Sequence, residues 1–393
     1  MKRRALLINA VSSKSGGSST YINNLIGQLD QTSPKHEYIF YVPSALKKSL
    51  KVTGSHVSVV ASEIGSCPPW KRFLWDQIIL RSIIKRNNID ALISSSDFGM
   101  TFPPCPQILL VRNSLFFSDL YERTFSLRQS WRCRLDRLMR RWLVLLSIRC
   151  SDAVVTASQS FLDEIERFMN LASKRTMVNP FGVPLERFSP CTERGSRRNE
   201  ALSRPLRLLH VSEYCDYKNL TVLLKAVRIL VKKGCRDFSL VTTADPWQYP
   251  DDELVMREED QSLAVHPQVA PFVKFAGPVP YGDVPKLYKS GDLFLFPSIT
   301  ESFGHPLVEA MATGLPVLAS DIPVCREICG EGALYFNPFN AEDLADKILR
   351  LQNSPDLRRQ MGEAGRKRAE IYFDWKDHVR RLVELIEEVG ADA

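Results

Sequence analysis

The sequence predicts an α/β protein made of two Rossmann-like domains, each a parallel sheet covered by helices. Three observations carry this. Apolar runs of strand length alternate with stretches of helical period along almost the whole chain, the pattern of successive βα units. At 393 residues the chain is long for one domain and comfortable for two. Residues 191–205, rich in Arg, Ser, Glu and Gly, interrupt the alternation and read as a linker. The first domain is then 1–190 and the second 206–370, followed by a segment 371–393.

In the first half, Ala5–Ala10 reads as a strand and Val11–Ser19 as a polar loop containing Gly16 and Gly17. A helix is expected from about Thr20, with Tyr21, Leu25, Ile26 and Leu29 at helical spacing. Tyr38–Val42, Val57–Ala61, Ala91–Ser94, Gln107–Val111 and Ala153–Ala157 continue the strands. Helical patterns lie between them, including Trp70–Lys85 and Trp131–Ile148.

The second half begins with a strand, Leu206–Val211. The loop Ser212–Tyr217 leads to Lys218, Asn219 and an amphipathic helix carrying Leu220, Leu223, Leu224 and Val227. Phe238–Thr242 and Val273–Ala276 are further strands, and Ala333–Phe336 precedes a helix over Ala341–Leu351.

The densest chemistry lies in Thr300–Glu327. Asp292–Pro297 reads as a buried parallel strand, Ser298–Gly304 as a loop, and Pro306 as an early helical position. Gly314 ends that helix and Pro316–Ser320 opens the next strand. This order places the loop at the carboxyl edge of a sheet, where open α/β sheets bind ligands. Free amides at a helix start attract phosphate. Glu301 and Glu309, eight positions apart, suit the hydroxyls of a ribose or hexose instead. Together they describe a pocket for a nucleotide sugar; two solvated glutamates on a surface helix is the plain alternative. Lys218 at a helix start meets an unfavourable dipole, which a bound anion would relieve; a solvent-facing lysine is again the alternative.

The stretch TESFGHPLVEAMATGLPV resembles the donor-site signature of retaining glycosyltransferases of the GT-B fold, family-four type: E-x7-E with FG after the first Glu and EAMA-x-G-x-PV around the second. The resemblance extends to Val273–Gly277, Leu287–Asp292, Arg326–Ile328 and Asn337–Pro338. It also covers Val178–Val183 with Phe188 and Pro190 at the exit of the first half. It implies two domains facing across a cleft, with 371–393 crossing back to the first. It implies transfer from a nucleoside diphosphate sugar to a hydroxyl of a saccharide or lipid-linked acceptor, with retention.

By the same resemblance, Lys218 contacts the diphosphate and Gly16–Gly17 approaches it from the other domain. Glu309 takes the ribose hydroxyls and Glu301 sits by the transferred sugar, with Glu301 and Lys218 as the catalytic pair. The amides of Phe303, Gly304, His305, Pro306 and Leu307 line the donor, Val279 meets the base and Ser212 joins the substrate-binding set. The His305 ring has two equal readings, a sugar contact or the loop exterior. The chain departs from the pattern twice. Glu213 stands where the family has an Arg five residues before Lys218, and Val111-Arg112-Asn113-Ser114 has no His. Asn113 can orient a hydroxyl but cannot take its proton, so a leaving-phosphate oxygen is the expected base. No DxD-like pair falls at the sugar site, Asp251–Asp252 reading as a surface loop. Neither metal nor cofactor is expected beyond the sugar nucleotide as co-substrate.

Composition is ordinary for a globular protein, and no run reaches the length of a membrane span. Nine scattered cysteines without CxxC spacing suit reduced thiols and a cytoplasmic setting. Residues 1–190 carry 26 Lys and Arg against 14 Asp and Glu; the remainder carries 26 against 31. The Arg-rich Trp131–Trp142 and the basic, aromatic Trp70–Lys85 have two equal readings. They either meet an anionic membrane surface, on the inner face of the cytoplasmic membrane in cell-envelope polysaccharide synthesis, or are ordinary amphipathic helices. No nucleic-acid-binding module is present. A nucleotide-sugar epimerase on the same fold and a non-catalytic sugar-nucleotide binder are the rival functions.

Overall fold

The computed structural model describes residues 3–14, 16–31, 35–50, 52–190, 204–248 and 254–390. Most of the expected linker, 191–203, and Asp251–Asp252 lie outside the described residues. The chain divides into two compact units. One comprises Met1–Phe117, Leu135–Gly182 and Trp375–Ala393, the other Ser118–Arg134 and Val183–Asp374.

In the first unit the strands are β1 (Ala5–Asn9), β2 (Glu37–Pro43), β3 (Val57–Ser62), β4 (Ala91–Ser94), β5 (Gln107–Leu110), β6 (Ala153–Thr156) and β7 (Arg175–Val178). They form one parallel sheet in the order β3-β2-β1-β4-β5-β6-β7. Leu7 in β1 lies opposite Ile39 and Leu92, and the Leu and Ile side chains of β1, β4 and β5 are buried almost completely. Each such side chain contributes about 1.5–3 kcal/mol through burial. The first helix begins at Gly16, four residues before the expected start at Thr20, and runs to Gln31. Gly16 and Gly17 are therefore its first turn rather than loop. Their low intrinsic helix propensity hides this, but the Gly16 carbonyl accepts from Ser19 Oγ at 3.0 Å and the Gly17 carbonyl from Arg112 Nη2 at 3.2 Å. The helix Trp375–Val389 belongs to this unit: His378 Nε2 meets the Tyr21 hydroxyl at 3.1 Å, and its Nδ1 meets the Pro180 carbonyl at 2.9 Å.

The second unit holds β8 (Leu206–His210), β9 (Phe238–Thr242), β10 (Val273–Phe275), β11 (Leu293–Phe296), β12 (Val317–Ser320) and β13 (Ala333–Phe336). They form a parallel sheet in the order β10-β9-β8-β11-β12-β13. Residues 183–190 group here, as do residues 118–134. Val183 N donates to Phe373 O and Arg366 Nη1 to Phe188 O, both at 2.9 Å, and Lys289 Nζ bonds Ser189 Oγ at 2.9 Å. The helix Pro355–Tyr372 lies directly on the turn after the helix His305–Ala312, because a Cβ at Gly362 would come within 2.4 Å of the Gly314 carbonyl oxygen.

Candidate functional site

The order β10-β9-β8-β11-β12-β13 reverses direction between β8 and β11, and ligands bind at such a switch point in open α/β sheets. The loops leaving β8 and β11 meet there. Lys218 Nζ lies 2.5 Å from Glu301 Oε1, with both side chains largely buried. Burial works most strongly against the Lys218 charge, but Glu301, Cys215 and Glu213 together outweigh it and hold the ammonium above its ordinary range. The ammonium also stands 4.9 Å from the centre of the Tyr217 ring and 5.9 Å from that of Phe296. Ile299 N donates to the Tyr217 carbonyl at 2.9 Å, tying the two loops together.

Lys218 is not at the helix start. It ends a short 3-10 turn, Asp216–Lys218, and the helix begins at Leu220. Between them Asn219 is left-handed, with φ 56°, a conformation asparagine tolerates better than most residues. Its Nδ2 donates to Pro297 O at 3.2 Å and to Pro338 O at 2.8 Å. Beneath the pair, His210 Nδ1 meets Thr242 Oγ1 at 2.9 Å, and burial, then Lys218, push its pKa down to about 3. The histidine is thus neutral and leaves the positive charge to Lys218.

Glu309 lies within the helix His305–Ala312 and is nearly buried. Burial raises its pKa to about 7, against hydrogen bonds from Tyr288 and Tyr281 and the charge of Arg187. Tyr288 Oη donates to Glu309 Oε2 at 3.0 Å, and the Arg187 guanidinium packs over the Tyr281 ring at 5.2 Å. Gly304, at φ 85°, precedes the helix; a Cβ there would meet Leu307 Cδ1 at 3.0 Å. Phe303 is buried, with its ring 5.4 Å from that of His305, and His305 and Pro306 are half-buried. The hydroxyls of Ser298 and Thr300, in the same loop, are buried without a hydrogen-bond partner among the described residues. Sequence reasoning missed Tyr281, Tyr288, Ser298 and Thr300. Of these, Tyr288, inside the family-like Leu287–Asp292 stretch, and Thr300, which opens the signature stretch, carried a signal.

The other expected residues of this unit are more peripheral. Ser212 N donates to Thr243 Oγ1 and Ser212 Oγ to the Glu213 carbonyl, both at 2.8 Å, while Glu213 itself is exposed. Val279 is half-buried, two residues after the left-handed Gly277.

In the first unit, Asn113 Oδ1 accepts from Leu115 N at 3.1 Å and caps the turn Ser114–Phe116. Arg112 packs over Tyr21 at 4.5 Å and Phe181 at 5.3 Å. Asp97 Oδ1 accepts from the amides of Arg112 and Asn113 at 2.6 and 3.0 Å.

Two parallel Rossmann-like sheets, with a lysine, two glutamates and a helix-opening glycine turn on the second, define the GT-B fold. Residues 193–368 match the profile for glycosyl transferases group 1, and residues 15–187 that for Glycosyltransferase Family 4. The two matches, one over each half of the chain, support a group 1 glycosyltransferase of the GT-B fold. It is 26% identical over 216 residues, 55% of each chain, to the O-antigen chain mannosyltransferase RfbU of Salmonella typhimurium. It is 29% identical over 244 residues to a D-inositol 3-phosphate glycosyltransferase of Corynebacterium jeikeium, covering 60% of this chain and 57% of that one. The chain thus spans somewhat over half the length of these relatives. Among solved structures, sucrose-phosphate synthase of Thermosynechococcus elongatus superposes with a TM-score of 0.79 at 18% identity over all of both chains. Anabaena HepE in complex with UDP-glucose gives 0.73 at 17% identity over 98% of this chain and 100% of that one.

Proposed function

We propose that this protein transfers a sugar from a nucleoside diphosphate sugar to a hydroxyl of a saccharide or lipid-linked acceptor, with retention, in cell-envelope polysaccharide synthesis. The observation that carries the proposal is the Lys218–Glu301 pair at the carboxyl edge of β8 and β11, beside the glycine turn and Glu309. An ammonium has three N–H donors. Glu301 takes one, leaving two for the phosphate oxygens of a donor, while the outer carboxylate oxygen meets hydroxyls of its sugar. Glu309, in its ionised form, accepts from the ribose diol.

The bond between the anomeric carbon and the β-phosphate oxygen breaks with its electrons passing to phosphate. The acceptor oxygen bonds to the same face of that carbon and gives its proton to the departing phosphate oxygen. Charge grows on the phosphate, where Lys218 and the N–H groups of Phe303, Gly304 and His305 stabilise it. Lys218 supplies the positive charge at the leaving group, so turnover persists when divalent cations are chelated. The O-antigen role of one relative and the nucleotide sugar bound by a structural neighbour support the donor and acceptor classes.

A thermal-shift panel of nucleoside diphosphates and their sugars tests the donor assignment. A ligand at a hundredfold excess over its dissociation constant adds about 2.7 kcal/mol of stability. No response from any sugar nucleotide would overturn it.

A further inference from the structure

The first unit carries an apolar face that its own core does not use. The helical run 69–86, which passes through one π turn, exposes Trp70, Leu74 and Ile78 at four-residue steps, with Ile79 beside them. Its buried face is a different one, built on Leu80 and Ile84. The helix Trp131–Arg149 repeats the arrangement. Leu135, Leu138, Met139 and Trp142 are exposed along one stripe, while Val144 and Ile148 pack inward. An amphipathic helix buries one apolar stripe in its own fold; each of these has a second.

The two helices come close to one another. Arg72 on the first helix is close enough to Arg140 on the second for that charge, after burial, to lower its pKa. Phe102, 76% exposed, is held beside the first helix. Its carbonyl accepts from Arg81, and Thr101 donates to Gln77 Oε1 at 2.9 Å.

Charge selects the occupant. Residues 69–86 carry five Lys and Arg against one Asp, and Trp131–Arg149 six Arg against one Asp. Of the two acids, Asp136 is paired with Arg140 and Asp76 accepts from Asn9 Nδ2 at 2.8 Å. Cations stand against the outermost rings, Lys71 at 5.4 Å from Trp70 and Arg132 at 5.5 Å from Trp131. Exposed tryptophans beside cations suit the boundary between lipid headgroups and acyl chains. A symmetric contact with a second copy would set this basic face against itself.

We infer that this two-helix face docks on an anionic lipid bilayer, seating Trp70, Ile78 and Trp142 at the headgroup boundary. This deepens the lipid-linked acceptor reading, and its test uses neither donor nor acceptor, so either can fail alone.

The test is flotation of the full chain with vesicles of phosphatidylcholine, with and without about one third phosphatidylglycerol. The wild type is expected to float with the anionic vesicles and to be released as salt rises from about 0.1 M to about 0.5 M. Ile78→Glu with Trp142→Glu should weaken binding at least about tenfold. Lys71→Glu alone should weaken it about fivefold. Unchanged circular dichroism shows that the variants fold; should the double variant fail to fold, Lys71→Glu carries the test. Equal flotation with and without phosphatidylglycerol would overturn the inference. So would full binding by the substituted proteins, or a dimer broken by Trp142→Glu in a protein that ignores lipid.

Discussion

Each sheet ends in a half-buried cation, and the two are held in different ways. Arg112, just past β5, stacks on Tyr21 and Phe181 and donates to the main-chain carbonyl of Gly17. Lys218, in the loop after β8, also faces two rings, Tyr217 and Phe296, but its ion pair is with a movable side chain, the carboxylate of Glu301. A cation fixed by a main-chain carbonyl oxygen is part of the frame. A cation matched by a single side chain can turn toward an incoming phosphate at little cost. The comparison separates a supporting charge from a working one, although both are half-buried and both sit at a carboxyl edge.

Replacing the working charge should have the largest effect. Lys218→Ala is expected to lower the transfer rate about 10²–10³-fold, the usual loss when a donor to the developing anion is removed, with little change in melting temperature. Steady-state rates with a responding sugar nucleotide check this, and equal losses from Arg112→Ala would erase the distinction. For Arg112→Ala we expect mainly lost stability, about 2 kcal/mol from a desolvated cation–π contact and backbone hydrogen bonds, read as a lower melting temperature.

Glu309 sharpens the contrast through pH. Its carboxyl is protonated below about 7 in the free protein, whereas the diol needs the carboxylate. Binding therefore releases a proton, and nucleotide affinity should fall about tenfold per unit as pH drops below about 7. Titration calorimetry on wild type and Glu309→Gln checks the sign; a flat wild-type profile would remove Glu309 from the ribose. Gly304→Ala should cost about 1–2 kcal/mol of stability, because its φ of 85° suits only glycine well and Leu307 is in the way. The smallest effect is expected at Asn113→Ala, about 1 kcal/mol for a lost cap. A collapse in turnover there would show that Asn113 handles the acceptor as well.

The second unit was the more legible in the sequence, for a physical reason. A fully buried strand such as β11 must be continuously apolar, and the turn after it must contain Gly304 and Pro306, so the Phe294–Pro306 stretch announces itself. The four-residue β7, Arg-Thr-Met-Val, is only partly buried and lacks that apolar signal. The helix Pro355–Tyr372 went unread because it packs through Gly362, Gly365 and Ala369, which leave no apolar stripe in the sequence. Tyr281 and Tyr288 reach Glu309 from outside its own helix, and no spacing rule encodes that meeting. Asn219 was read with Lys218 as a helix opening; only its left-handed backbone separates them.

Asn219 has one more effect. By latching the Pro297 and Pro338 carbonyls, it staples together the exits of β11 and β13, so the seat is assembled before any guest arrives. A visitor to such a preset socket forfeits little of its grip to ordering the host. Asn219→Asp, matched in shape but unable to donate, should therefore slow capture by loosening the receptacle while every residue that touches the guest stays in place.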